Sequence, residues 1–281
     1  MSLLRLMCNN LWKCDKNAPA WEEKGEDCSA KARADGFFRT YQETAPDIIG
    51  CQESSAIMAD ELMCKFSDKE IPYALLWGRD TPIIYRKDKF ELLDSAFALY
   101  PEECPGFEGC FNNSLSKSWN LGVFRIKESG EKFILFTTHL WWKSSNAEST
   151  IYQAGSDEAR KYQMEIAIEK LDEYQKKYNC PIILMGDFNA GYTSMVVQYV
   201  LSKGFQHAHD IAVEYADESR GYHTCTTKGY GPYRDEPFRS SMDHIFVKDI
   251  KEGAVKRFDR FAPEYYLPLS DHLPVFIDIE L

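Results

Sequence analysis

The chain has 281 residues, 44% of them hydrophobic and 14% aromatic, with a formal net charge of −11 at pH 7. That apolar content supports a sizeable core and argues against a disordered chain, and no apolar stretch is long enough for a membrane span. The acidic balance speaks against a broad surface for a polyanion.

In chain order, a first strand is expected from residue 4 to 7, leading to Asn10. The start lacks the basic-then-apolar order of an export signal, so a cytoplasmic protein is expected, with secretion after removal of a signal peptide left open. Helices are expected over residues 29–44 and 55–67, flanking a strand, Ile48-Ile49-Gly50-Cys51, that runs into Gln52-Glu53. Strands follow at 82–85, 90–97, 121–126 and 133–138. A helix over 157–178 has the clearest 3.6-residue period, with Tyr162, Ile166, Ala167, Leu171 and Tyr174 on one face. The strand 182–185 precedes a helix at 194–203, with Thr193 as N-cap and Gly204 as stop. Strands at 244–247 and 275–279 close the chain. No linker, repeat or low-complexity tract divides it, so one mixed α/β domain over residues 1–281 is expected. Four long loops, at 12–27, 100–119, 140–156 and 216–240, interrupt this frame, and loops of such length usually carry function.

The nine cysteines are odd in number and show no Cys-x-x-Cys spacing, which argues against a zinc site. Cys8, Cys51 and Cys180 lie in or beside strand patterns and read as buried free thiols. Cys104 and Cys110 flank a Pro-Gly turn and could in principle pair, but without a secretory signal free thiols are the expectation.

Six apolar runs begin or end on the same kind of residue. Asn10 follows the first, Glu53 the second and His139 the run Phe133-Ile134-Leu135-Phe136-Thr137-Thr138. Ile182-Ile183-Leu184-Met185-Gly186 leads into Asp187-Phe188-Asn189, whose i, i+2 spacing puts both polar side chains on one side of an extended backbone. Asp243-His244 opens one strand and Asp271-His272 stands before another. Each has a plainer reading taken singly: Asp-x-Asn as a turn or cap, Glu53-Ser54 as a helix cap, His139 as a structural histidine. Together they form the set that metal-assisted phosphoester hydrolysis needs. Carboxylates and amides are hard oxygen ligands suited to Mg2+ or Mn2+, and histidines exchange protons near neutral pH.

The ordered elements Asn10, Gln52-Glu53, Thr138-His139, Gly186-Asp187-Phe188-Asn189, Met242-Asp243 and Ser270-Asp271-His272 resemble the endonuclease/exonuclease/phosphatase superfamily over nearly the whole chain. The resemblance implies a four-layer α/β sandwich, two mixed β-sheets packed face to face with helices on both outer faces. It implies Glu53 as principal metal ligand, with Asn10 and Asp271 close by. It also implies a catalytic set of His139, Asp187, Asn189, Asp243 and His272. Asp187 orients or deprotonates the attacking water, Asn189 holds the phosphate or that water, and His139 donates to the phosphoryl group. His272, held by Asp243, hydrogen-bonds the scissile phosphate or acts as base. His244, adjacent to Asp243, points the other way.

The chain departs from many small bacterial relatives after Thr-His-Leu, where Trp141-Trp142-Lys143 replaces Asp and His. The tryptophans are either a stacking wall for substrate or an anchor for their loop. Arg160 either contacts phosphate or pairs with Glu158 or another helix charge. Tyr222-His223-Thr224 resembles an aromatic-His step before the Asp243 motif. Trp141, Trp142, Lys143, Arg160 and His223 are thus the substrate-binding candidates.

The expected function is a divalent-metal-dependent hydrolase of a small-molecule, sugar-phosphate or lipid-head-group phosphate ester, working as a monomer. Asp15, Glu22, Glu23, Glu26 and Asp27 make the loop after Asn10 acidic where a duplex would approach. Lys13, Lys143, Lys228, Arg234 and Arg239 suffice for one local patch, and Trp12, Trp21, Trp141 and Trp142 suit a compact site. The alternative is a Mg2+-dependent nuclease acting on DNA or RNA. A catalytically silent binding module is the remote third reading, opposed by the chemically competent residue at every core position.

Overall fold

A strand that is apolar at every position must be covered on both faces. The computed structural model, which describes residues 2–13, 19–215 and 241–281, meets that demand with two packed sheets flanked by helices. Ile183 and Met185 point into the gap between the sheets, whereas Ile182 and Leu184 lie under helices. The same split divides Phe133 and Leu135 from Ile134 and Phe136, and Leu4, Leu6 and Cys8 from Met7.

The strands in chain order are β1 Leu3–Asn10, β2 Ile48–Gln52, β3 Tyr73–Leu76, β4 Ile83–Arg86, β5 Phe90–Leu99, β6 Ser118–Ile126 and β7 Lys132–His139. They continue with β8 Ile182–Asp187, β9 Gln206–His207, β10 Glu214–Tyr215, β11 Asp243–Lys248, β12 Val255–Arg260 and β13 Val275–Glu280. The helices are α1 Pro19–Glu22, α2 Ala30–Thr44, α3 Ala56–Asp68, α4 Ser156–Tyr178, α5 Met195–Ser202 and α6 Ala208–Ile211. Among the described residues one sheet has the order β10-β12-β13-β1-β2-β4-β3 and the other β5-β6-β7-β8-β11-β9. Both are mixed: β1 runs parallel to β2 but antiparallel to β13, and β7 parallel to β8 but antiparallel to β6.

Three hydrophobic clusters correspond to three interfaces. One lies between the sheets, one joins the β5–β9 sheet to α4 and α5, and one joins the β1-containing sheet to α2 and α3. The expected four-layer sandwich is therefore the observed fold.

The helices start where short polar residues satisfy orphan backbone N–H groups. Ser29 accepts from Ala32, Ser55 from Met58 and Ser194 from Val197. The last displaces the expected cap, Thr193, by one residue. β6 starts at Ser118, earlier than the expected 121, and β3 and β12 were not anticipated. β3 is a four-residue edge strand. β12, Val-Lys-Arg-Phe-Asp-Arg, carries charges that read as a loop, yet Arg257 pairs with Asp259 along the strand.

Cys8, Cys51 and Cys180 are buried thiols, as expected. Cys104 and Cys110 are both free: Cys104 packs with Phe111 and Trp141, and the Cys110 thiol donates to Glu102. Among the described residues, no helix is long and apolar enough to cross a membrane.

Gly186 shows how tightly the strand ends are set. Its φ is +153°, and a Cβ there would lie 2.1 Å from the Thr138 carbonyl oxygen of the neighbouring strand. Backbone on one side leaves nothing to repack. Gly186→Ala should destabilise the protein by about 1–3 kcal/mol, the range for overpacking a filled interior. Chemical denaturation of the two proteins measures this, and unchanged stability would show that β7 and β8 can separate locally.

Candidate active site

The register of β7, β8 and β11 sets His139, Asp187 and Asp243 in one row, because His139 pairs with Asp187 and Asp187 with Asp243. All three stand on the inward face, two residues from Thr137, Met185 and Ile245 respectively. Asn10 occupies the equivalent place two residues beyond Cys8 on β1. It reaches across the gap, donating from Nδ2 to Asp187 Oδ2 at 3.0 Å and to Glu53 Oε1 at 3.3 Å. One level below, Gln52 Nε2 donates to Thr137 Oγ1 at 2.7 Å. Polar contacts thus replace the apolar core where the sheets reach solvent.

Glu53 follows β2 with φ +52°, and Asn189 follows Asp187 with φ +50°. Left-handed backbone in residues other than glycine is held only where surroundings enforce it, and it concentrates at functional sites. Asn189 is fixed by its backbone N–H to Asp187 Oδ1 at 2.8 Å and by Nδ2 to the Leu140 carbonyl at 3.0 Å.

His272 Nδ1 lies 2.7 Å from Asp243 Oδ2, and its Nε2 lies 3.7 Å from Asp187 Oδ2 and 3.9 Å from Asp271 Oδ1. Burial alone would push this imidazole down, but Asp243, Asp187 and Asp271 outweigh it and hold the ring well above the usual histidine range. His139 behaves oppositely. Burial, reinforced by Lys117 and His272, pushes it well below that range, so it is neutral. Burial raises Asp187, against the opposing pull of His272 and Lys117.

Two groups of side chains could hold a cation. Glu53, His139 and Asp187 each offer an atom within 4.8 Å of the others, as do Asp187, Asp243 and His272. Asp271 belongs to neither group and lines the cleft on the His272 side. The cleft above this floor has a volume of about 1010 Å³.

Residues 10–272 match the Endonuclease/Exonuclease/phosphatase family, from the first site residue to the last. The chain belongs to this family. Its members are phosphoester hydrolases. Over 237 residues, 70% of the chain, the sequence is 25% identical to a CCR4-Not complex 3'-5'-exoribonuclease subunit Ccr4 of Candida albicans. The chain spans 29% of that relative's length. A mannosyl-6-phosphatase from Bacteroides thetaiotaomicron has a similar fold, with TM-score 0.72 and 22% identity, covering 99% of this chain and all of that one. So does a D. rerio TDP2 complexed with a single-strand DNA product, with TM-score 0.68, 17% identity and full coverage of both chains.

The loop residues Trp141, Trp142 and Lys143 separate into two kinds. Trp142 and Lys143 line the cleft, and Trp142 is exposed. Trp141 is fully buried, its ring 5.8 Å from Phe111, and so anchors the loop and does not form a wall for substrate. Large apolar surface next to Phe111 is a better environment for this indole than an aqueous cleft. Arg160 reaches the cleft edge, but its guanidinium donates to the carbonyls of Trp141 at 3.0 Å and Lys143 at 2.7 Å and pairs with Asp157, not Glu158. It braces the loop. His244 faces away, its ring within 2.8 Å of the Ala190 carbonyl. His223, Lys228, Arg234, Arg239 and Asp15 lie outside the described residues.

Sequence reasoning missed Lys117 and Asp80, which line the cleft together with Lys13 of the expected basic patch. Lys13 Nζ pairs with Asp80 at 3.0 Å. Lys117 stands directly before β6, the position that marked the other site residues, and would have been found had β6 been started at Ser118.

The Asp243–His272 pair yields a signed pH dependence. His272 has a raised folded pKa, so its contribution to stability is full below the unfolded value of about 6.5 and is lost as pH rises through the higher folded value. In EDTA, stability should fall through the alkaline side of neutrality, and Asp243→Asn should flatten that fall. The same substitution should lower turnover about ten- to a thousand-fold and shift the histidine limb of the pH–rate profile. Unaltered profiles in a folded variant would remove the pair from the mechanism.

Proposed function

We propose that the chain is a divalent-metal-dependent hydrolase of a small or head-group phosphate ester, such as a sugar phosphate. The observation that carries this reading is the pairing of opposites at the cleft floor. His272, whose pKa Asp243, Asp187 and Asp271 hold up against burial, and a buried Asp187 lie 3.7 Å apart, beside Glu53 and Asn10.

The donor set suits a hard cation. Glu53 and Asp187 supply carboxylate oxygens and Asn10 an amide, with no thiolate among them. Bound there, Mg2+ or Mn2+ would supply Lewis acidity toward a phosphoryl oxygen and would offset charge on the leaving oxygen. Asp187, made more basic by burial and oriented by Asn10, takes the proton of the attacking water, and Asn189 helps to place that water. His272 donates its Nε2 proton to the departing ester oxygen, with Asp243 fixing ring tautomer and angle. Of the two candidate bases this reading assigns the role to Asp187, which burial raises and Asn10 orients.

The small-substrate reading rests on charge placement. Lys13, Lys117 and Lys143 line the cleft itself, while the rest of the surface contributes to a net charge of −11. Trp142 and Ile151 give one wall an apolar face. A second reading, cleavage of nucleic-acid phosphodiesters, is favoured by the likeness to the Ccr4 exoribonuclease subunit.

A phosphoester panel with and without Mg2+ or Mn2+ should show activity that EDTA abolishes. Glu53→Gln should raise the metal concentration needed for half-activity strongly, since it removes charge facing the ion. Full activity after chelation would sink the metal-dependent reading. Salt-sensitive, micromolar binding of duplex DNA with Mg2+-dependent nicking would establish the nuclease reading instead.

A further inference from the structure

Lys117 is only 4% exposed, yet its ammonium borders the cleft and lies 2.6 Å from His139 Nε2. An ammonium can only donate, so the imidazole nitrogen facing it must accept. His139, already engaged at Nε2, is therefore poorly set to donate to a phosphoryl oxygen. The donor that points there is Lys117.

Its position is built, not incidental. The buried Asn112 side chain donates to the carbonyls of Tyr100 at 2.7 Å and Lys117 at 2.9 Å, and accepts from Lys117 N–H at 2.9 Å. The Tyr100 N–H donates to the Lys117 carbonyl at 2.9 Å, and the Tyr100 hydroxyl meets Thr138 Oγ1 at 2.7 Å. These contacts close the base of the loop and tie it to β7, the strand that carries His139. Burying a lysine is costly unless charge faces it, and Glu53, Asp187 and Asp80 supply that charge, opposing the downward pull of burial.

We propose that Lys117 is a catalytic residue that binds the non-bridging oxygens of a terminal phosphate, which makes the substrate a phosphate monoester. The proposal rests on the phosphoester-hydrolase reading above. A terminal phosphate brings two negative charges and one ester arm. A diester brings one charge, so the buried ammonium, which gains most from the dianion, favours the monoester. In the reaction, the water oxygen bonds to phosphorus as the P–O(alkyl) bond breaks with its electron pair on the alcohol oxygen. Asp187 takes the water proton, His272 gives one to the alcohol, and Lys117 keeps its protons throughout while meeting the charge on the phosphoryl oxygens.

The test uses the full chain with Mg2+, phenyl phosphate and diphenyl phosphate as a matched pair, and the variants Lys117→Met and Lys117→Arg. Inorganic phosphate is titrated separately by calorimetry. The wild type should favour the monoester. Lys117→Met should lower kcat on it by on the order of a hundredfold, as for loss of one oxyanion donor. It should also weaken phosphate binding at least about tenfold, and Lys117→Arg should recover part of that binding. If the Met variant does not fold, Lys117→Gln, which keeps a donor to His139 without the charge, decides by the same readouts. Preference for the diester, or phosphate affinity unchanged in a folded variant, overturns the proposal. If neither ester is cleaved although phosphate binding depends on Lys117, the hydrolase reading fails and the anion site at Lys117 stands.

Discussion

Asn10, His139, Asp187 and Asp243 lie on the same strand faces as Leu6, Leu135, Ile183 and Val247, whose side chains fill the gap between the sheets. A strand has period two, so one inward-facing set serves both purposes. While the sheets stay in contact that set must be apolar; where they reach solvent it can be polar and still point at the opposite sheet. The site is the end of the core, and its positions depend on inter-sheet packing more than on any loop. A one-residue slip of β8 would turn Asp187 toward α4 and α5.

The electrostatics follow from this placement. Side chains at the mouth of the gap are dry enough for charges to act strongly on one another, yet they meet the cleft on one side. Identical imidazoles diverge accordingly. His272 faces three carboxylates and holds its proton, while His139 faces an ammonium and gives its proton up. Separating two similar groups by their neighbours provides an acid and a neutral acceptor within one small volume.

What the sequence makes legible is what this geometry forces into local pattern. Runs such as Ile182–Met185, apolar at consecutive positions, announce strands covered on both faces, and the polar residue ending each run announces the mouth of the gap. Asn10, Glu53, His139, Asp187 and His272 were readable on that basis, and the structure brings their side chains together. Lys117 escaped because β6 opens with Ser118-Trp119-Asn120, a polar-aromatic start that resembles loop. Trp141 and Trp142 are neighbours of one type with opposite fates, decided by Phe111, which lies thirty residues away in sequence. Arg160 was legible in its pairing with a helix charge, Asp157, but its other partners are backbone carbonyls, which every residue has and no sequence pattern marks. The short strands β3, β9 and β10 take their identity from pairing partners alone.

β1 pairs with β13 on one side and β2 on the other, so the first and last strands stand side by side in the middle of their sheet. On a ribosome, the β1 end emerges long before its partner exists. Until β13 is released, the β1-containing sheet lacks the link between β1 and β12, and Leu4, Leu6 and Cys8 face solvent along one flank. Contacts of such sequence separation form slowly. The β5-β6-β7 meander and the β7-α4-β8 crossover can organise earlier from nearer neighbours, waiting for the other sheet to dock. Asn10 meets Asp187 only in that last step, so a nascent chain carries both halves of the reaction centre without joining them, and its exposed strand edges are the interval when chaperones have most to guard.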